Sequence, residues 1–393
     1  MRVGNFYFRG TDLIPQNSEK AFMYFSRAIK SKGIQASPWE SSVLTNIGVC
    51  YLEGLGVGQS DAKAIKFFRN AADMENPEAM LQLAGIYRDG KGVAADENEA
   101  YKWLKLAASC GLPEAIYQYA RYYFSKGSAS PTSCDEGMVR NHLQKSVSLF
   151  EVAAKNGHVQ SQYELAYCLQ NGKGVAVDID LAQNYYRLAA EKGHSSSQYA
   201  LGNILECFGD TSNQARIEEA AKWYLAAAMQ GNELAQSSLG ICYLYGKGVH
   251  ADTSSAFKWF KSSAQKGLAA AQNQVGECLQ LGIGTAIDIK EAVHWYKKGA
   301  MQHFPPALNN LAVCYQEGRG ITRDLDEALR LYMFAAEKGD SCGQFNLASL
   351  YQQTERFDMA IKWFDVAAAH GDKEAGARLD DLCLAKWGLD FDK

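Results

Sequence analysis

The sequence has little of what marks a disordered chain, a membrane protein or a nucleic-acid binder. Only 7 of its 393 residues are proline and 21% are charged, which is ordinary for a folded globular protein. No apolar run approaches the ~20 residues that span a bilayer, and the first residues lack a basic segment leading into an apolar one. A net charge of -4 gives no basic excess. We therefore predict no signal peptide in this chain, no direct membrane insertion and no nucleic-acid partner.

Patterns that carry chemistry are also missing. The sequence contains no His-Glu-x-x-His, Gly-x-Ser-x-Gly or P-loop motif, and no Cys-x-x-Cys or Cys/His cluster of the kind that binds zinc. The seven histidines are scattered. We therefore expect no enzymatic activity, no cofactor and no metal ion. Four histidines lie beside predicted turns, where we expect them to be solvated: His158, His194, His303 and His370.

What the sequence does contain is an internal repeat. Each unit carries a small residue just after an apolar one, which we call the anchor. Most successive anchors are 36 residues apart, as from Gly240 to Gly276. Repeats of this length are typical of arrays built from stacked helical pairs. The ten anchors are Gly4, Gly48, Ala84, Ala120, Ala166, Gly202, Gly240, Gly276, Ala312 and Ala348.

Each unit predicts a helix A, a Gly-x-Gly turn and a helix B. An aromatic residue often follows the anchor by three positions, and glycine then ends helix A because the chain there needs a positive φ or a close approach. We expect an aspartate before helix B to cap its first turn. These aspartates are Asp61, Asp96, Asp178, Asp252, Asp288 and Asp324. In three units a glutamate follows three residues later, as in a capping box: Glu99, Glu291 and Glu327.

Helix B places alanines and large rings on one face, and a further glycine ends it. The whole unit reads A-x-x-x-L-G-x-x-Y-x-x-G-x-G-V-x-x-D-x-x-x-A-x-x-W/Y-x-x-x-A-A-x-x-G. This skeleton resembles the Sel1-like repeat family, which is related to the tetratricopeptide repeats, and the resemblance covers nearly the whole chain. It implies an all-α fold, a right-handed α/α superhelical solenoid of about ten helix-turn-helix repeats. Such pairs must stack to bury their apolar faces.

We expect a single array over residues 1–393. Residues 1–42 form a truncated or capping first unit, because only three residues precede Gly4: either the chain is a piece of a longer protein or the unit is an abbreviated cap. Repeats follow over residues 43–372. They include a Ser/Gly/Pro-rich insert, Ser125–Gly137, which we expect to be a surface loop. Residues 373–393 provide a C-terminal capping helix, over Glu374–Trp387, and a tail.

Half of the ten cysteines share one repeat position, two residues after the anchor: Cys50, Cys168, Cys242, Cys278 and Cys314. Ile86 and Leu350 occupy that position elsewhere, so we expect these cysteines to be small buried hydrophobic residues. Equivalent positions in stacked helices lie about 10 Å apart, too far for a disulfide. This favours the cytoplasm or another reducing compartment. An exported location stays open if an upstream signal is missing from this chain.

By resemblance to tetratricopeptide arrays, side chains three before and one after the anchor face a concave groove. Tyrosine there offers contact area, and asparagine can pair with a peptide backbone. Such a groove suits an extended peptide or a helix. The alternative is that these side chains only hydrate a surface or pack between repeats. The candidate protein-binding residues are Arg121, Tyr163, Tyr167, Tyr199, Asn203, Ser237, Asn273, Glu277 and Asn309.

Three functions remain open. The first is a scaffold or adaptor that binds one or more partner proteins, since the family serves as adaptors in ER-associated degradation, in cell-wall and signalling regulation and in bacterial host interaction. The second is a regulatory subunit or inhibitor of a partner enzyme, in signalling, ubiquitin-linked degradation or host-pathogen effector control, with Ser125–Gly137 as its contact. The third is an exported virulence or envelope factor.

Overall fold

The computed structural model describes residues 2–9, 16–30, 38–128, 136–208 and 213–387. Within these ranges the regular structure is entirely helical. Within residues 1–192, and again within residues 193–393, each helix packs against the next one along the chain. The all-α solenoid expected from the sequence is confirmed. Contacts divide the chain into two compact units, residues 1–192 and 193–393. The single array over residues 1–393 stays a prediction.

The described residues of the first unit form ten helices, and those of the second form eleven. The first ten are α1 (Arg2–Arg9), α2 (Ser18–Lys30), α3 (Pro38–Glu53), α4 (Asp61–Ala72), α5 (Pro77–Asp89), α6 (Glu97–Ser109), α7 (Pro113–Ser128), α8 (Glu136–Lys155), α9 (Val159–Asn171) and α10 (Ile179–Glu191). The others are α11 (Ser195–Cys207), α12 (Gln214–Met229), α13 (Glu233–Tyr245), α14 (Thr253–Gln265), α15 (Ala269–Leu281), α16 (Ile289–Met301), α17 (Pro305–Glu317), α18 (Leu325–Glu337), α19 (Ser341–Gln353), α20 (Phe357–Ala369) and α21 (Lys373–Trp387). The last of these shows that the helix expected at Glu374–Trp387 is present, and its capping role stays a prediction.

Odd-numbered helices up to α19 are the A helices, and each glycine anchor packs on a large aromatic side chain of the following B helix. A Cβ placed on Gly48 would lie 2.6 Å from the ring of Phe68, and one on Gly240 would lie 2.5 Å from the ring of Phe260. The small anchor therefore lets the two helices approach closely. The ring lies four residues after the first small residue of the helix B pattern. It is almost fully buried in nine of the ten repeats, as Phe25, Phe68, Phe150, Tyr186, Tyr224, Phe260, Tyr296, Tyr332 and Phe364.

The two glycines of the Gly-x-Gly turn have different structural roles. The first ends helix A in the left-handed conformation, as at Gly246, whose φ is +67° and whose N–H donates to the Cys242 carbonyl. The second is where consecutive repeats approach. A Cβ on Gly174 would lie 2.6 Å from the backbone of Leu143, in the preceding B helix. The sequence predicted a positive φ or a close approach at this turn, but it did not indicate which glycine has which role.

Five of the six predicted aspartate caps are confirmed: Asp96, Asp178, Asp252, Asp288 and Asp324 accept from first-turn N–H groups. The prediction for Asp61 is wrong. That turn has the same length as the others, so Ser60 occupies the cap position, and Asp61 lies one residue later, at the start of α4.

The suggested capping boxes are not formed, because each cap N–H already donates to helix A. The N–H of Asp288, for example, donates to the Leu279 carbonyl at 2.9 Å. The third residue on, Glu291, instead accepts from the indole N–H of Trp295 at 3.3 Å.

The insert Ser125–Gly137 is only partly a loop, which corrects the expectation. Its first four residues continue α7 and its last two begin α8, while residues 129–135 lie outside the described ranges. Gly127 is buried, and a Cβ on it would lie 2.8 Å from Leu143. Packing against α8 thus extends α7 by one turn beyond the predicted end.

The five repeat cysteines are buried free thiols, as expected. Burial raises the pKa of Cys168 to about 12 and that of Cys50 to about 11. The histidines are more varied than expected. His303 and His370 are exposed, but His158 and His194 are half-buried N-caps of A helices. The expectation of solvated histidines is therefore wrong for these two, because their rings accept first-turn N–H groups.

Candidate protein-binding surface

The candidate residues lie on the A helices, at the third position before the anchor and the first position after it. Arg121 is exposed, whereas Ser237, Asn273 and Asn309 are buried, at 5–8% exposure. Burial makes these three the floor of the surface, rather than side chains that project from it. The other five are half-buried: Tyr163, Tyr167, Tyr199, Asn203 and Glu277.

The three buried residues bond to the A helix of the following repeat. The Ser237 hydroxyl donates to Gln274 Oε1 at 2.9 Å. The other two accept instead of donating. The Asn310 amide donates to Asn273 Oδ1 at 2.9 Å, and the Asn346 amide donates to Asn309 Oδ1 at 2.8 Å. In each case the partner is two residues before its own anchor. We call this series of bonds the inter-repeat ladder.

The inter-repeat ladder also occurs elsewhere in both units. Asn46 donates to Asn5 at 3.1 Å, and Arg121 lies 3.6 Å from the Glu164 carboxylate. A further bond joins Tyr199 to Ser238. Burial raises the pKa of Glu164, and Arg121 partly offsets that rise. The polar residues predicted to bind a partner thus also hold consecutive A helices in register.

The candidate tyrosines border the core. The Tyr163 ring packs on Tyr186 at 5.8 Å between centroids, and the pKa of its phenol is raised by burial. Tyr167 is held from the turn, because Lys173 Nζ donates to its hydroxyl at 3.0 Å and lies over its ring. A lysine at the centre of a Gly-x-Gly turn therefore reaches over the A helix.

A second series of bonds was missed by sequence reasoning. Where the buried ring of helix B is tyrosine, its hydroxyl donates to a glutamine or glutamate four residues after the anchor, as from Tyr296 to Gln280 at 2.9 Å. Where the ring is Phe260, that position holds Leu244, which needs no donor. The sequence does contain a signal for these bonds, because each such tyrosine of helix B occurs with a glutamine or glutamate at this position of helix A. The other tyrosine pairs are Tyr186 with Gln170, Tyr224 with Glu206 and Tyr332 with Gln316.

One repeat departs from this packing. Leu104 of α6 occupies the ring position and is only half-buried. Beside it an open cleft of about 460 Å³ lies between α5, α6 and α7, and we call it the α6 cleft. Its floor includes the anchor Ala84 together with Ala100 and Leu104, and its walls include Tyr101 and Tyr122.

Two guanidinium groups flank the α6 cleft, from Arg88 and Arg121. Arg88 pairs with its neighbour Asp89 at 2.8 Å, and Arg121 donates to the Tyr117 hydroxyl at 3.1 Å. The one carboxylate among the lining residues, Glu97, lies 3.0 Å from Lys126. The charge balance of the lining is therefore positive.

The Tyr101 wall of the α6 cleft is fixed by other phenols. Its hydroxyl lies 3.1 Å from that of Tyr119 and 3.0 Å from that of Tyr123. These bonds lower the pKa of Tyr101 and hold its ring against Tyr122, with 4.9 Å between centroids. The wall is thus rigid and aromatic.

Other kinds of site find no support in the described ranges. No group of three or more His, Cys, Asp or Glu side chains there is arranged to hold a metal ion. Within the same ranges no helix is both long enough and apolar enough to cross a membrane.

The Sel1 repeat model matches ten segments that together cover most of the chain. The chain belongs to the Sel1 repeat family. The matches are residues 1–32, 41–76, 77–112, 113–158, 159–194, 195–232, 234–268, 269–304, 305–340 and 343–372. Each contains one of the ten anchors, so the repeat count expected from the sequence is confirmed.

Solved structures of Sel1 repeat proteins share this fold. The crystal structure of c5321, a protective antigen present in uropathogenic Escherichia coli strains, is 29% identical, with a TM-score of 0.78 over 94% of this chain and 76% of the antigen. A Sel1 repeat protein from Oxalobacter formigenes is 22% identical, with a TM-score of 0.55 over 64% of this chain and 96% of its own. Among curated protein sequences, none matches this chain.

Proposed function

We propose that this Sel1 repeat protein is a non-catalytic scaffold that binds a partner protein on its A helices. The observation that carries the proposal is the composition of the A-helix surface. It combines half-buried phenols and amides such as Tyr167 and Asn203 with the exposed Arg121. Phenols, amides and guanidinium groups are the side chains that dominate protein–protein contacts or bind peptide backbone.

The inter-repeat ladder supports this proposal, because it holds the surface rigid before a partner arrives. A surface that is already ordered loses less entropy on binding. The buried Asn273 and Asn309 are therefore support for the contact, and residues one position after the anchor are the contact itself. Regulation of a partner enzyme, with Ser125–Gly137 as its contact, is the alternative function, and the identity of the partner would separate the two.

Affinity capture from the native cell, with crosslinking and mass spectrometry, tests the proposal. The variant changes three half-buried positions that follow the anchor: Tyr167→Asp, Asn203→Arg and Ser349→Arg. These residues make no ladder bond within the described ranges, so the fold is expected to survive. We expect the variant to lose the partner that the wild-type protein retains.

A matched control carries three charge changes on exposed faces of B helices: Lys222→Glu, Lys258→Glu and Lys362→Glu. It should keep the partner. The proposal fails if the A-helix variant retains every partner, or if the control loses them to the same extent.

A further inference from the structure

We infer that the α6 cleft binds a peptide segment of a partner protein, one that inserts an aromatic side chain and places an acidic residue beside it. This inference rests on the proposed function and assigns that function a definite contact. Two independent irregularities of the array coincide at this cleft.

The first irregularity is the missing ring. Nine repeats fill the space above the anchor with an almost fully buried Phe or Tyr, and only the repeat of α5 and α6 places a leucine there. The position four after its anchor is also exceptional, since Arg88 stands where other repeats have Gln, Glu, Leu or Phe. The cleft is thus the place of a ring that the chain itself does not supply. Its volume of about 460 Å³ is within the usual range for ligand pockets.

The second irregularity is a gap in the inter-repeat ladder. Gln82 and Gln118 hold the ladder position two before the anchor, but the preceding A helices offer them Val49 and Gly85 one residue after the anchor. Three before the anchor they offer Leu81, and Thr45, whose hydroxyl donates to the Ser41 carbonyl at 2.8 Å. Gln118 bonds within its own helix, to Glu114 at 2.8 Å. The Gln82 side chain has no hydrogen-bond partner within the described ranges. The Gln82 amide is therefore free to pair with the backbone of a bound peptide, and the side-chain carbonyl oxygen of Gln118 can accept a hydrogen bond from it.

The gap opens a groove on the A helices that continues into the α6 cleft. This groove, of about 360 Å³, is lined by Gln82, Gly85 and Lys91, and it shares Arg88 and Gln118 with the cleft. Three carboxylates also line it, from Glu53, Asp89 and Glu114. A Cβ on Gly85 would meet no atom within 4 Å, so the groove is open there. A peptide backbone in the groove would place one side chain in the cleft.

The charged residues at the cleft determine which residue type we expect beside the inserted aromatic side chain of the peptide. Arg88 of α5 and Arg121 of α7 both line the cleft, while the charge of Glu97 is neutralised by Lys126. The pair of Arg88 with Asp89 is exposed, and exposed pairs of this kind are weak. Each guanidinium has five N–H donors and can accept a second carboxylate. Arg121 also lies 3.6 Å from Glu164, and carboxylates line the groove. The acidic residue of the occupant is therefore placed at the cleft, beside the two guanidinium groups, and not in the groove.

Selection from a random peptide display library on the full-length protein tests the inference. We expect the enriched peptides to share an aromatic residue with Asp or Glu within two positions. The synthesised peptides should bind with a dissociation constant in the micromolar range, measured by fluorescence anisotropy.

Leu104→Phe supplies the missing ring and is the decisive variant. We expect it to raise the melting temperature, because it fills unused space, and to weaken peptide binding at least tenfold. The exposed pair Arg88→Glu and Arg121→Gln should weaken binding to a similar extent without filling the cleft and without placing a second carboxylate beside Glu164, and it keeps the test available if Leu104→Phe misfolds. The control is again Lys222→Glu, Lys258→Glu and Lys362→Glu, which should bind as the wild type does.

The inference is overturned if no aromatic, acidic sequence is enriched, or if the enriched peptides bind both cleft variants as well as the wild type. Capture of the native partner separates this inference from the proposed function. A partner that Leu104→Phe retains, but that the A-helix variant loses, contradicts the cleft and leaves the scaffold function standing. A partner that both variants retain contradicts both proposals.

Discussion

At the scale of single residues, the repeat positions that the sequence revealed are those defined by size. The anchors could be predicted because a small residue recurs at a fixed spacing. The hydroxyl bond from Tyr296 to Gln280 could not, because glutamine and leucine at the partner position fit the same helical pattern. Only the contact between the two helices shows which of them a buried phenol requires.

This pairing predicts the behaviour of a double substitution. Gln280→Leu alone should destabilise the protein by about 1–3 kcal/mol, because it leaves the phenol of Tyr296 buried without an acceptor. Adding Tyr296→Phe should recover most of that loss, since it recreates the pair of Leu244 and Phe260 in the preceding repeat. Denaturant unfolding of Gln280→Leu, of Tyr296→Phe and of the double variant measures the coupling energy between the two residues. Additive effects would contradict the account.

The anchor predicts a second effect of residue size. Gly240→Leu should cost roughly 1–3 kcal/mol, because the added side chain would overlap the ring of Phe260. Gly85→Ala is the matched control, also within an A helix but facing open space, and it should gain up to about 1 kcal/mol from helix propensity. An unchanged denaturation midpoint for Gly240→Leu would refute the close helix contact.

At the scale of helices, the ends of B helices were easier to predict than those of A helices. Aspartate before a helix is a well-known cap, and five of six were placed correctly. The A helices instead use Asn76, His158, His194, Asn232 and Asp340 at the equivalent cap position. Histidine is an unusual cap, so two histidines that the sequence suggested were solvated are structural.

The His194 cap predicts a pH dependence. Burial lowers the pKa of this imidazole, and its Nδ1 accepts from the Ser197 N–H at 3.2 Å, which requires the neutral ring. The unfolded chain therefore binds the proton more readily, and stability should fall as the pH drops below about 6.5. His194→Asn, which copies the cap at Asn232, should lose less stability between pH about 7.5 and about 5.5. Thermal unfolding at both pH values measures the difference, and parallel losses would argue against the cap.

At the scale of the whole molecule, the repeat pattern was enough to predict the architecture, because each helical pair packs only on its neighbours. The pattern could not predict which repeat differs from the others in its packing and hydrogen bonds. Leu104 and Gly85 are ordinary residues in the sequence. They become notable only when nine buried rings and a ladder of polar bonds show what is missing beside them.

Crosslinks between the protein and its captured partner test the central claim most directly, because lysines sample both faces of the array. Lys173 and Lys247 in the Gly-x-Gly turns reach over A-helix residues, with Nζ 3.0 Å from the Tyr167 hydroxyl and 3.1 Å from the Glu206 carboxylate. Lys222 and Lys258 are exposed on B helices. Binding on the A helices predicts partner crosslinks at the turn lysines. Crosslinks confined to the B-helix lysines would contradict it.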